Sequence, residues 1–182
     1  MTETPNPHIV DADTLTGEMH PIRRCVLAIG SNLGERMNNL QGAVSSLVDT
    51  PEVWVTAVSP VYETAPVGGI EQDDFLNAVL LCELDAEQAW ELAQRAEQAA
   101  DRERVVRWGP RTLDVDVIVA EGPVPDGLEL PHPRAHQRAF VLAPWADVDP
   151  AAELPGKGRV ADLLAGLDLR GVRRRDDLEL VP

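Results

Sequence analysis

The run TLDVDVIVA, Thr112 to Ala120, alternates apolar and acidic side chains with a period of two. Successive side chains of a strand point to opposite faces, so Leu113, Val115, Val117 and Val119 share one face while Asp114 and Asp116 share the other. The apolar face belongs in a core. The other face carries two carboxylates about 6.5 to 7 Å apart at Cα, which repel each other unless water or cations separate them. Any fold for this chain must therefore cover one side of the strand and leave the other side approachable. Taken alone, the pair has two readings: ordinary solvated aspartates on a half-exposed strand, or hard oxygen donors for Mg²⁺, which needs only one or two carboxylates and completes its shell with water and phosphates.

Around this strand the chain alternates strand and helix signals. Cys25–Ile29 is an apolar run that breaks at Gly30-Ser31-Asn32, and Leu33, Met37, Leu40, Val44 and Leu47 then step by four and three, giving strand, turn and helix. Val53–Ser59 and Val61–Thr64 are rich in β-branched and aromatic residues, and Phe75–Leu84 is a further strand. The Pro- and Gly-containing stretch from Ala65 to Asp74 separates them as a loop. Asp85 and Gln88 have capping-box spacing before a narrow stripe of Ala89, Trp90, Ala93, Ala96 and Ala100. After the acidic strand come a hairpin-like Pro/Gly piece, a short helical segment over Arg134–Ala146, a small helix near Val160–Leu164, and a C-terminal RRRDDLELVP that reads as tail or edge strand. The order β-α-β-β-α-β predicts an α+β fold, a ferredoxin-like two-layer sandwich with a mostly antiparallel sheet and helices packed on it. Residues 1–21 lack periodicity and are expected to be a flexible extension; residues 22–182 are expected to form one domain, a monomer.

Composition narrows the chemistry. A net charge of −15 with 44% hydrophobic residues describes an acidic globular protein and speaks against non-specific nucleic-acid binding. Lys157 is the only lysine and the pattern GxxxxGK[ST] is missing, so a P-loop is excluded and phosphate chemistry would rest on arginine, backbone N–H groups or metal. Cys25 and Cys82 lie in strand-like runs and are expected as buried free thiols, a disulfide between them being the alternative. The polar first twenty residues and the absence of any run near the ~20 apolar residues of a membrane span give the expectation of a cytoplasmic protein with no membrane partner.

Four arginines, Arg102, Arg104, Arg107 and Arg111, fall just before the aspartates. Interleaved Asp101 and Glu103 permit a solvated surface loop. A basic loop running into an acidic strand is also what a metal–polyphosphate site requires, with carboxylates holding cations and guanidinium forks holding phosphate oxygens. Trp108-Gly109-Pro110 supplies a bulky anchor beside a stiff turn, suited to a lid that excludes water.

Taken in order, AIGSNLGERMNNL, SPVYETAPVGG, DDFLNAV, RVVRWGPRTLDVDVI and LPHPRAHQRAFVLAPW resemble the 6-hydroxymethyl-7,8-dihydropterin pyrophosphokinases of folate biosynthesis, over about Cys25 to Pro150. The resemblance implies the ferredoxin-like fold and transfer of pyrophosphate from ATP to the hydroxymethyl oxygen of the pterin, releasing AMP. It implies that Asp114 and Asp116 hold two Mg²⁺ ions; no residue stands out as a dedicated base, and metal-bound Asp116 is taken as the candidate proton acceptor. Arg102 and Arg111 match arginines that contact the phosphates, and Arg104 and Trp108 match the catalytic loop. Gln94 and Glu97, which would otherwise read as polar residues of an amphipathic helix, match positions on the ATP side. His132 and Arg138 match a histidine and arginine near the nucleotide phosphates. For the pterin, the resemblance points to Thr64, Pro66, Val67 and Asn77, with Phe75 and Phe140 on either side of the flat ring and the turn Gly30, Ser31, Asn32 along its edge. An aromatic slot with an amide at its edge suits such a heterocycle. Asp101 departs from the family, which usually has a small glycine there. Two rival readings are a Mg²⁺–ATP transferase that moves one phosphoryl group and releases ADP, and a non-catalytic nucleotide- or pterin-binding module.

Overall fold

The structure, a computed structural model, describes residues 22–66, 71–85, 91–92, 95, 113–124, 127 and 129–182. The expected N-terminal extension, the arginine loop with Trp108, and Gln88 of the expected capping box lie outside the described residues. The elements in chain order are β1 (Ile22–Ser31), α1 (Arg36–Val48), β2 (Val53–Val58), β3 (Val61–Thr64), β4 (Phe75–Asp85), β5 (Asp114–Ala120), α2 (Ala139–Val148), β6 (Glu153–Leu154), β7 (Gly158–Arg159), α3 (Val160–Ala165) and β8 (Val172–Arg175). A 3-10 turn at Ala135–Gln137 precedes α2. Glu91, Leu92 and Arg95 are also helical, in the region where the alanine stripe predicts a helix.

The main sheet runs β5-β1-β4-β3-β8, with β2 beside β3 on the same edge of β4. Every pairing in it is antiparallel. The architecture is α+β and ferredoxin-like, as the order of elements predicts. Where β2 gives way to β3, the ladder along β4 is continued by Ser59: its N–H donates to the Val79 carbonyl at 2.9 Å and its Oγ accepts from the Val79 N–H at 2.8 Å. The central strand thus keeps its backbone satisfied across the join.

Period-two alternation gives the sheet two different faces. Leu27 and Ile29 of β1, Leu76, Ala78 and Leu80 of β4, and Val61 of β3 join Leu40, Ala43, Val44 and Leu47 of α1 in one core, to which Leu113, Val115 and Val117 also contribute. Those α1 positions recur at three and four, so one stripe of the helix is buried. Leu33 is half exposed and precedes the helix, so it does not belong to the stripe expected to start there. On the other face, Val26, Ala28, Val79 and Ile118 pack with Val141, Leu142 and Trp145 of α2 and Val160 of α3. α2 is apolar nearly all round (AFVLAPWADV), which fits a helix enclosed by its neighbours.

Three details differ from the sequence expectations. β1 runs to Ser31, so Gly30 and Ser31 end the strand and only Asn32 enters the turn. The alternation of β5 breaks at a bulge: Val117 faces Leu27 and Val119 faces Val26, leaving Ile118 as the extra residue. Val119 therefore packs with the second core rather than with Val117, and Ala120 returns to the first. Among the described residues after β5 there is no partner strand for a hairpin; instead the His132 N–H donates to the Ile118 carbonyl at 2.7 Å, tying the segment to the bulge. The C-terminal segment forms an edge strand, β8, against β3. Cys25 and Cys82 are buried free thiols at facing positions of β1 and β4.

Candidate active site

The second face of the sheet becomes a cavity where side chains become small. Along β1 that face reads Val26, Ala28, Gly30. Gly30 stands between Asn77 of β4 and Asp114 of β5, and Ala28 stands between Val79 and Asp116. With methyl and hydrogen in the middle strand, the polar side chains of its neighbours overlook an open floor. The resulting cavity is about 530 Å³, within the range of small-molecule sites, and is lined by Gly30, Thr64, Pro66, Phe75, Asn77, Asp114, Asp116, Arg138 and Phe140 among others.

The lining of the cavity is acidic and basic at once. Asp114 and Asp116 point from the same face of β5, as their spacing predicts. Arg138 lies 3.9 Å from the Asp116 carboxylate, an ion pair too long for a direct hydrogen bond. Arg138 occupies an extended residue between the 3-10 turn and α2, and its guanidinium sits 5.4 Å from the centre of the Phe140 ring. His132, held by Ile118, accepts at Nδ1 from the Arg134 N–H at 3.2 Å, which leaves the proton on Nε2. Burial, then the nearby Arg138 charge, hold the His132 imidazole below its usual pKa against the opposing pull of Asp116. It is a neutral N–H donor at pH 7. Among the described residues no three or more His, Cys, Asp or Glu side chains gather to hold a metal. Two carboxylates facing one cavity fit Mg²⁺, which draws its other ligands from water and phosphate.

The same cavity is also aromatic. Phe75 and Phe140 line it, and they are the only phenylalanines in the chain. Asn77 and Thr64 are almost fully buried, and the Asn77 amide donates to the Thr64 hydroxyl at 2.6 Å. Its Oδ1 lies so close to Gly30 that a Cβ there would stand 2.8 Å away. Glycine at 30 is thus required by the neighbouring amide.

Ser31, Asn32 and His132 do not line the cavity. Asn32 donates to Gln72 Oε1 and to the Asp73 carbonyl, both at 2.9 Å, and so fixes the loop from which Gln72 reaches the cavity wall. Ser31 accepts from Asn39 of α1 at 3.2 Å. Gln94, Glu97, Arg102, Arg104, Trp108, Arg111 and Val67, named on sequence grounds, lie outside the described residues. Sequence reasoning missed several lining residues: Arg134 and Gln137 before α2, and Asp168, Arg170, Gly171 and Val172 near the C terminus. Arg134 and Gln137 stand inside PHPRAHQRAF, where no spacing singles them out. No signal in the C-terminal stretch marked it as part of a site.

Comparison with known proteins shows the family. Residues 26–150 match the family described as 7,8-dihydro-6-hydroxymethylpterin-pyrophosphokinase (HPPK). A 2-amino-4-hydroxy-6-hydroxymethyldihydropteridine pyrophosphokinase of Mycobacterium leprae is 50% identical over 151 residues, covering 75% of this chain and 77% of that protein. The proteins of that name from Mycobacterium tuberculosis and Pseudomonas aeruginosa are 44% identical, covering 80% of this chain and 84% of the relative, and 38% identical, covering 84% and 97%. Among solved structures, wild-type Plasmodium falciparum HPPK-DHPS with pterin and p-hydroxybenzoate superposes with a TM-score of 0.59 at 12% identity, over 84% of this chain. This chain spans only 44% of that longer protein, and the likeness speaks to the fold. The chain belongs to the hydroxymethyldihydropterin pyrophosphokinase family, whose reaction is pyrophosphoryl transfer to hydroxymethyldihydropterin in folate biosynthesis.

Proposed function

We propose that the cavity takes ATP at its Asp114/Asp116 end and 6-hydroxymethyl-7,8-dihydropterin at its Phe75/Phe140 end, so that the hydroxymethyl oxygen meets the β-phosphorus between them and AMP leaves. The observation that carries this reading is that one cavity is lined both by Asp114, Asp116 and Arg138 and by Phe75, Phe140 and Asn77.

Asp114 and Asp116 would hold two Mg²⁺ ions, which when bound would neutralise the polyphosphate and draw electron density from the phosphorus. Arg138, anchored by its stacking on Phe140, offers a guanidinium to phosphate oxygens. His132, neutral with its proton on Nε2, adds an uncharged donor beside it. Arg102, Arg104, Trp108 and Arg111 are assigned to phosphate binding and closure of the loop, and Gln94 and Glu97 to the ATP side, on the likeness of RVVRWGPRTLDVDVI and its preceding helix to the family pattern. Phe75 and Phe140 sandwich the pterin ring; Asn77, oriented by Thr64, reads its edge, with Gly30 and Pro66 completing that wall, and Val67 is assigned to the pterin on the likeness to the family pattern alone. Ser31 and Asn32 act from behind the wall, through α1 and Gln72. Catalysis on this account is chiefly positioning and charge neutralisation.

The test is to incubate the purified protein with ATP, Mg²⁺ and the pterin and to follow nucleotide products. AMP formed only when pterin is present, in step with pterin diphosphate, is the expected result. ADP in place of AMP would overturn the reading in favour of single phosphoryl transfer, and ATP binding without turnover would favour a binding module.

A further inference from the structure

The C-terminal segment after α3 returns to the cavity. β8 pairs with β3 so that Val172 faces Thr64 and Arg174 faces Tyr62. Just before β8 the chain turns over Ala65, whose N–H donates to the Gly171 carbonyl at 2.9 Å. Gly171 has φ +75°, and a Cβ there would lie 3.0 Å from the Ala65 Cβ. Both the backbone conformation and the close approach therefore call for glycine. The turn is closed by Asp168, which accepts from the Arg170 N–H at 3.0 Å and from its guanidinium at 2.9 and 2.6 Å. Beyond the turn, Glu63 pairs with Arg173 and with Arg175 at 3.1 Å, and Asp147 with Arg174 at 3.4 Å, so β8 is pinned on both faces.

Asp168, Arg170, Gly171 and Val172 line the cavity beside Ala65 and Pro66. We propose that the turn Asp168–Gly171 is a third wall of the pterin compartment, and that Gly171 is a positioning residue which sets the Thr64–Pro66 segment against the ring through its contact with Ala65. This rests on the assignment of the slot to the pterin. A Cβ on Gly171 would push Ala65, itself a residue of the cavity wall, by a few tenths of an ångström. If a misplacement of 1 Å costs on the order of a hundredfold, a shift of about 0.3 Å gives about a fourfold effect.

The experiment compares wild type, Gly171→Ala, the double variant Ala65→Gly/Gly171→Ala, Asp168→Asn and Asn77→Ala by steady-state kinetics with each substrate varied, and by thermal melting. Gly171→Ala is expected to raise the pterin KM about fourfold with the ATP KM little changed and a lowered melting temperature. The double variant removes the Cβ contact but keeps the strained φ, so the pterin KM returns toward wild type while the melting temperature stays low. A purely structural role would move both together. Asp168→Asn, which loosens the turn without touching Gly171, is expected to raise the pterin KM in the same direction and serves if Gly171→Ala does not fold. An unchanged pterin KM in these turn variants, with Asn77→Ala raising it, would overturn the proposal and leave the slot assignment standing. An unchanged pterin KM in Asn77→Ala as well would show that the slot assignment itself is wrong, and the proposal falls with it.

Discussion

Replacing Gly30 by alanine is the sharpest test of how the floor of the cavity works. The backbone of Gly30 is in a strand and not in the left-handed region, so alanine is tolerated there in itself and even lowers the conformational entropy lost on folding, by about 0.5–1 kcal/mol. The obstacle is the Asn77 amide: the new Cβ would stand 2.8 Å from Oδ1, and reaching ordinary contact at 3.4 Å requires the amide to retreat by about 0.6 Å. Asn77 has little freedom to do so, since it is buried and its Nδ2 is committed to Thr64 Oγ1 at 2.6 Å. Loss of that buried hydrogen bond costs about 1–3 kcal/mol, so the net change in stability is about 0–2.5 kcal/mol. If the same amide reads the pterin edge, a similar 1–3 kcal/mol disappears from transition-state binding, or about 5- to 150-fold in kcat/KM for the pterin. Initial rates of AMP release over a range of pterin concentrations at saturating ATP and Mg²⁺ give the number, and a thermal melt gives the stability. A folded Gly30→Ala protein with kcat/KM for the pterin within about twofold of wild type would refute the reasoning, because a group that must move 0.6 Å cannot also be a positioned reader of the substrate.

Asp116→Ala is expected to abolish pterin-dependent AMP formation while circular dichroism and the melting temperature stay near wild type, since the side chain faces the cavity; substantial turnover would remove it from the site. Burial alone would raise the Glu63 carboxyl, but hydrogen bonds from Arg36 and Arg173 and the Arg175 charge hold it below its usual value of about 4.5. A depressed folded pKa stabilises the protein above that value and the contribution is lost as pH falls through the folded pKa, so the stability gap between wild type and Glu63→Gln in denaturant titrations should close on acidification below pH about 4.5. Burial pushes the Cys82 thiol up to about 12, and Cys25 higher still, so neither should react with a thiol reagent at pH 8 until the protein is unfolded, when both cysteines of the chain should label.

The sequence was readable where period and punctuation agreed. Phe75–Leu84, Val53–Ser59 and Val61–Thr64 appear as β4, β2 and β3 with ends within a residue, because an apolar run in the first and β-branched runs in the other two were bounded by turn residues. Asp114 and Asp116 were placed on one face by spacing alone, while the nearness of Arg138 to Asp116 came only with the structure, since no local rule brings residues 22 positions apart together. Val119 was misplaced because a bulge inserts one residue and inverts every side chain after it, and nothing in an all-apolar VIV records that. Leu33 looked like the first rung of a helix because its spacing was right, yet the chain is still turning there, with Gly34 at φ +73°. The C-terminal wall was illegible for a different reason: Gly171 matters through a contact with Ala65, more than a hundred positions earlier, and a short charged strand at a sheet edge has the composition of a tail.

The bulge also explains how one sheet face can be both core and site. Read across β5, β1 and β4, that face has three rows: Asp114, Gly30 and Asn77; Asp116, Ala28 and Val79; and then Val119, Val26 and Leu81. The first row is polar and open, the second mixed, the third apolar and covered by α2 and α3. Regular alternation beyond Asp116 would put Ile118 alone on this face and return Val119 to the other. The extra residue instead lets Ile118 and Val119 both meet the second core, closing it abruptly behind the carboxylates. It also leaves the Ile118 carbonyl for the His132 N–H, which brings the segment before α2 across the strand and so carries Arg138 to within 3.9 Å of Asp116. The transition from packing to chemistry is therefore made within one strand, and the backbone irregularity that ends the core is the same one that seats the basic side of the site.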